Sequence, residues 1–211
     1  MTGITFETGN LEEIRVRVGT WAAENFGDTL PKENPQAYGM LRCCAGMAEE
    51  ASELVIKGGW GLTPGPVDKD EYFDAIADIC VYALDFCYTA RLPMQEVLLH
   101  DKEPNRWEKQ FIALSENRQP ANTILHEGIN VLIGKLCHSS LKMCQDIRRT
   151  EDHQENIRTS MCHLWRCCYR LSGWMGRDLN ELVHEVAYKV IQRDWKKHKD
   201  NAHEVVDADS Q

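Results

Sequence analysis

The sequence has 211 residues, 43% hydrophobic and 27% charged, which is enough for one medium-sized or two small domains with a real core. Its 24 Lys and Arg against 33 Asp and Glu give a net charge of −9, which argues against nucleic acid as a partner. No run approaches the ~20 apolar residues of a membrane span, and the N-terminus lacks a secretory pattern, so we expect an intracellular, cytoplasmic protein without a membrane partner.

Apolar residues recur every three to four positions in seven stretches, which predicts an all-α helical bundle. Nine cysteines stand within these stretches, and we expect reduced, mostly buried thiols rather than disulfides. The polar segment "SENRQPAN" separates the first four predicted helices from the last three. The seven stretches cover residues 11–26, 37–57, 71–92, 93–110, 123–149, 153–174 and 178–199.

The second half of the sequence resembles the first. "EEASELVIK" aligns with "GKLCHSSLK" and "RLPMQEV" with "GRDLNEL", in both cases at an offset of 85, as for Glu96 and Glu181 (181 − 96 = 85). Two segments with one offset indicate an internal duplication, although amphipathic hairpins also resemble each other without common origin. We predict a tandem pseudo-repeat, with a first repeat at 1–115, a second at 116–199 and a disordered tail at 200–211.

Carboxylates concentrate on the second and third predicted helices. Glu50 and Glu53 share one helix face, and so do Asp74 and Asp78. If these helices are neighbours, each like-charged pair at ~5 Å costs on the order of 3 kcal/mol at an effective dielectric of ~20. The surrounding residues are small or apolar, so a divalent cation is the expected partner, and oxygen ligands favour Mg²⁺ or Mn²⁺. A solvated acidic face is the alternative.

The "EExxE" pattern followed by "DAIADICVYAL" resembles the MazG-like all-α nucleotide pyrophosphohydrolases, from about Trp21 to Trp107. The resemblance implies a bundle of the all-α NTP pyrophosphatase type. It also implies hydrolysis of nucleoside triphosphates to the monophosphate and pyrophosphate. The implied metal ligands are Glu50, Glu53 and Asp78.

One position departs from the family pattern, because Ala75 stands where a fourth acid is usual. We assign the fourth metal ligand to Asp74, one residue earlier. Glu49 points about 100° away from Glu50 and is the candidate catalytic base, or an outer ligand. Candidate substrate-binding residues stack on a base or contact phosphate, with ordinary core or surface roles as the alternative: Trp21, Lys57, Trp60, Tyr82, Lys102, Asn105 and Arg106.

Every proposed metal ligand is replaced in the second half. At the offset of 85, the residues equivalent to Glu50, Glu53, Asp74 and Asp78 are Lys135, His138, Thr159 and His163. We therefore expect a degenerate, metal-free copy that acts as a built-in partner, an internal pseudo-dimer, and leave open a further homodimer. A zinc site is disfavoured because no CxxC or HxxxH spacing occurs. The alternative function is a non-catalytic nucleotide-binding or partner-binding helical bundle.

Overall fold

The computed structural model describes residues 8–57, 68–100, 103–116, 122–148 and 150–197. These ranges contain α-helices and no strand, so the predicted all-α class is confirmed. None of the helices there is long and apolar enough to cross a membrane. The helices are α1 (Thr8–Phe26), α2 (Pro35–Lys57), α3 (Lys69–Thr89), α4 (Met94–His100), α5 (Arg106–Glu116), α6 (Asn122–Gln145), α7 (His153–Met175) and α8 (Leu179–Ile191), with a short 3-10 helix at Gly27–Thr29.

Helices α2 and α3 form an antiparallel pair. Lys57 at the end of α2 is paired with Glu71 at the start of α3, and Arg42 is paired with Asp85 further along. The face of α3 opposite the carboxylates packs into the core. Its residues are 0–1% exposed: Ile76, Ile79, Ala83 and Cys87.

The prediction of a single helix at 93–110 is wrong, because the chain forms two helices there, α4 and α5, with a break between them. Pro104 lacks a backbone N–H and disfavours a helical residue before it. Asn105 then starts α5, since its side chain accepts from Glu108 N at 2.9 Å while Glu108 accepts from Asn105 N at 3.1 Å. This reciprocal cap starts a new helix. The helices predicted at 123–149 and 178–199 likewise end early, at Gln145 and Ile191.

One hydrophobic core extends through helices from both predicted repeats. Helix α6 packs on α2, α7 on α4, and α8 on α3 and α1. The fully buried carboxylate of Glu108 on α5 accepts from Arg166 at 3.1 Å and from Arg170 at 2.9 Å, both on α7. All nine cysteines are free and seven are buried, which confirms the expectation of reduced, mostly buried thiols.

The segment that follows α8 folds back along α1. The indole N–H of Trp21 donates to the carbonyl of Arg193 at 2.7 Å, and Trp195 N donates to Asn25 Oδ1 at 3.0 Å. The Trp195 ring also lies 6.5 Å from that of Phe26. These contacts fix residues 192–197 beside the first half of the chain.

Candidate active site

The candidate site lies along the groove between α2 and α3, where the antiparallel pairing sets the order of side chains. At one end Arg42 pairs with Asp85. One turn along α2, the Tyr82 ring lies directly against the backbone of Gly46, a close approach that only a residue without a Cβ atom permits. The carboxylates of both helices follow beyond Tyr82.

Glu50 and Asp78 are the half-buried members of this carboxylate cluster. Burial, followed by repulsion from Asp78 and Glu53, raises the pKa of Glu50 to about 8. Burial and then the charge of Asp74 raise the pKa of Asp78 to about 7. These effects place Glu53, Asp74 and Asp78 within electrostatic range of Glu50.

The other carboxylates, Glu49, Glu53 and Asp74, are exposed at the rim of the groove. The charge of Asp74 raises the pKa of both Glu50 and Asp78. Ala75, by contrast, is only 2% exposed and faces the core. Asp74 rather than position 75 is therefore the α3 residue available to complete the cluster.

The carboxylates are not gathered into a preformed metal cage. Among the residues that the structure describes, no group of three or more His, Cys, Asp or Glu side chains is placed closely enough to hold a metal ion. Like charges without a cation between them separate, and the three rim side chains are free to turn towards solvent. Because no such group occurs within the described ranges, the assignment of these four ligands stays a prediction. Their donor atoms are all oxygen, which is the ligand type that Mg²⁺ prefers.

Arg193 is a residue of this site that the sequence analysis missed. Its positive charge lowers the pKa of Asp78 against the effects of burial and repulsion. Its Nε is buried and finds no hydrogen-bond acceptor among the described residues. A signal did exist, because "NRWEKQ" and "QRDWKKH" close the two halves in similar style and pair Arg106 with Arg193.

Asn105 and Arg106 lie on a different part of the molecule. Helix α5 packs on α6 and α7, where Asn105 serves as the cap of α5. Arg106 stacks over the Trp107 ring at 4.5 Å and lies 3.7 Å from Glu127. The structure therefore does not bring these two residues to the carboxylates of α2 and α3.

The remaining substrate-binding candidates divide into three groups. Tyr82 is beside the carboxylates, and burial, then the charges of Glu50 and Asp78, raise its pKa to about 12. Trp21 reaches the site indirectly through its bond to Arg193, and Lys57 is held by Glu71 at 2.9 Å. Trp60 and Lys102 lie outside the described residues.

A cavity of about 580 Å³ lies between α1, the first half of α2 and the end of α3. Its wall includes Arg42 and Asp85, and Asp85 lies roughly 10 Å from Asp78 along the α3 axis at 1.5 Å per residue. Comparisons with protein-family models, curated proteins and solved structures find no match for this chain.

Proposed function

We propose that the chain is a Mg²⁺-dependent nucleoside triphosphate pyrophosphohydrolase, with Mn²⁺ as a substitute cation. It would cleave (deoxy)nucleoside triphosphates to the monophosphate and pyrophosphate, in nucleotide pool sanitation or dNTP control. The observation that carries the proposal is the position of Glu50, Glu53, Asp74 and Asp78 along the α2–α3 pair, where the other three carboxylates add to burial in raising the pKa of the half-buried Glu50. The resemblance of this stretch to the MazG-like family supports the same assignment.

The four carboxylates would hold the cation, which neutralises the triphosphate and lowers the pKa of the attacking water. Arg193, with an unused buried N–H, is placed to contact a phosphate oxygen. Glu49 is the base: it takes a proton from water as the new oxygen–phosphorus bond forms at the α-phosphate. The bond to the bridging oxygen breaks and pyrophosphate leaves. Tyr82 offers a ring on which the nucleobase can stack.

An internal pseudo-dimer is the second part of the proposal, and the helix bounds support it. Helices α3 and α7 begin 84 residues apart (153 − 69 = 84), and α4 and α8 begin 85 apart (179 − 94 = 85). The caps repeat as well, since Asp68 accepts from Glu71 N and Asp152 accepts from Glu155 N. These offsets agree with the 85 residues found by aligning the two halves of the sequence.

The packing of the helices is also reciprocal. Helix α4 of the first half packs on α7, the equivalent of α3, while α8, the equivalent of α4, packs on α3 itself. Two copies related by a two-fold axis must pack in this way, because each contact from the first copy to the second is repeated from the second copy to the first. Arg193 then reaches the carboxylates from the second copy, so the proposed site needs both halves.

The alternative is a non-catalytic nucleotide-binding or partner-binding bundle that has kept the acids. It is supported by the finding that, among the described residues, no three His, Cys, Asp or Glu side chains are grouped closely enough to hold a metal ion. The two functions differ in whether Mg²⁺ leads to release of pyrophosphate.

The test is Mg²⁺-dependent release of pyrophosphate from a panel of ribo- and deoxynucleoside triphosphates. Glu53→Gln should abolish turnover in a folded protein, because it removes one ligand charge, and its Mg²⁺-induced rise in Tm should shrink. Without metal it should be at least as stable as wild type, because a repulsive charge is gone. Glu24→Gln, an exposed change on α1, is the control and should keep full activity. Full activity in Glu53→Gln would refute the site.

A further inference from the structure

A further cavity, of about 370 Å³, lies between the start of α5 and helices α6 and α7. It occupies the position that the offset of 85 makes equivalent to the carboxylate cluster, since Lys135, Thr159 and His163 correspond to Glu50, Asp74 and Asp78. The start of α5 lines this cavity, and Arg193, in the segment after α8, likewise acts on Asp78 at the first site. The lining residues used below are Asn105, Arg106, Trp107, Lys135, Thr159 and His163.

The charge of this cavity is opposite to that of the carboxylate cluster. No acidic residue is among its described lining residues, which include the guanidinium of Arg106 and the ammonium of Lys135. Both cations lie over the Trp107 ring, at 4.5 and 6.0 Å from its centre. Lys135 has no ion-pair partner within 4 Å in the described part of the chain, and Arg106 has only Glu127 at 3.7 Å.

Trp107 adds a fixed wall to the cavity. It is 5% exposed and packs against Gly128, where an added Cβ atom would lie 3.0 Å from its Cγ. Its indole N–H is buried and meets no acceptor among the described residues. An anionic ligand would therefore find two exposed cations beside a tightly packed aromatic ring.

We propose that this cavity binds the phosphate group of a nucleotide without a metal ion. In the first site carboxylates need a divalent cation before they can attract phosphate, whereas here Lys135 and Arg106 supply the positive charge themselves. The volume is within the range of small-molecule sites. The equivalence of the two sites depends on the proposed duplication, but the charge and the shape of this cavity do not.

The test is isothermal titration calorimetry of the full chain in EDTA, with pyrophosphate and deoxynucleoside monophosphates as separate probes. Binding should occur without metal, and Lys135→Gln and Arg106→Gln should each weaken it about tenfold or more, the value of a charge-assisted hydrogen bond. Lys109→Gln is the control: it removes an exposed charge from α5, the helix that carries Arg106, but Lys109 does not line the cavity, so affinity should be unchanged. Stronger binding of the monophosphates than of pyrophosphate would identify a nucleotide; equal binding would identify phosphate alone as the recognised group.

Two results would overturn the proposal: no binding in EDTA, or binding that Lys135→Gln and Arg106→Gln leave intact. Loss of binding in Arg193→Gln would overturn it too, because the probe would then occupy the α2–α3 groove. A protein that binds phosphate in EDTA but releases no pyrophosphate with Mg²⁺ would disprove the proposed enzymatic function and keep this second site. Both substituted residues are exposed, so unchanged circular dichroism and Tm are expected for the variants.

Discussion

At the scale of single residues, the half-buried carboxylates Glu50 and Asp78 make the metal-free protein sensitive to pH. Their pKa values rise from 4.5 to about 8 and from 3.8 to about 7, with burial the main cause. The folded state therefore holds these protons more tightly than the unfolded state. Their contribution to stability is complete below about pH 4 and is lost as the pH rises through about 7 to 8.

This titration gives a measurable prediction. In EDTA, the Tm of wild type should fall from about pH 5 to about pH 9, and Glu50→Gln should show a smaller fall, because its amide cannot ionise. Glu24→Gln, exposed on α1, should follow wild type. The comparison between variants isolates Glu50, since all other groups titrate in each protein. Parallel curves for Glu50→Gln and wild type would contradict the electrostatic coupling.

Arg193 is the cation that opposes this cluster. Arg193→Gln should raise KM for a triphosphate roughly tenfold, because a charge-assisted contact to phosphate is lost while the main-chain bond to Trp21 stays. Arg193→Lys should restore part of the affinity. Lys197→Gln, which removes an exposed charge from the same segment, serves as the control in steady-state kinetics. An unchanged KM in Arg193→Gln would remove it from the site.

At the scale of helices, Gly46 lets α2 come close to the Tyr82 ring of α3. A Cβ atom at position 46 would lie 2.5 Å from Tyr82 Cζ, so the ring would have to move. Gly46→Ala should cost ~1–3 kcal/mol of unfolding free energy and raise KM if a base stacks on Tyr82. Urea denaturation and steady-state kinetics measure the two effects.

The matched control is Gly134→Ala on α6, where nothing lies within 4 Å of the added atom. It should stabilise the protein by ~0.5–1 kcal/mol, the usual gain of Ala over Gly within a helix. In a Tyr82→Ala background, Gly46→Ala should cost much less than it does in wild type, because the clashing ring is gone. An equal cost in both backgrounds would place the strain elsewhere.

The positions of most helices, and the helix face that Glu50 and Glu53 share, could be predicted from the sequence because both depend on local spacing. The three-residue spacing of Glu50 and Glu53 fixes a shared face whatever the rest of the fold does. The break before α5 was missed because apolar periodicity continues across Pro104, although the Asn105–Glu108 cap was visible in the sequence. Arg193 was missed for another reason: it approaches Asp78 across 115 residues of chain (193 − 78 = 115), a contact that only tertiary packing creates.

At the scale of the whole molecule, the first half depends on the second to cover its apolar faces. Tyr72 on α3 is 1% exposed and its hydroxyl bonds His126 of α6 at 2.8 Å, and the thiol of Cys80 on α3 interacts with that of Cys168 on α7. Removal of α6–α8 would expose this surface to water at ~25 cal/mol per Å² of apolar area.

A chain ending at Glu116 should therefore aggregate or pair with itself, as measured by size-exclusion chromatography with light scattering. A chain ending at Lys197 keeps all the described helices and should behave like the full chain. If the chain ending at Glu116 were a stable, fully active monomer, the halves would be independent and the built-in partner idea would fail.

The reciprocal packing of α4 on α7 and of α8 on α3 also bears on how such a protein can evolve. In a dimer of identical chains every mutation is inherited by both subunits, so neither can lose a carboxylate while the other keeps it. If the chain is the proposed duplication, one continuous chain removes this constraint, because the exchange of an acid for Lys135 would affect a single copy. The two proposed copies would also meet at a fixed one-to-one ratio, so dilution could not separate the half that would carry out hydrolysis from the half that would support it.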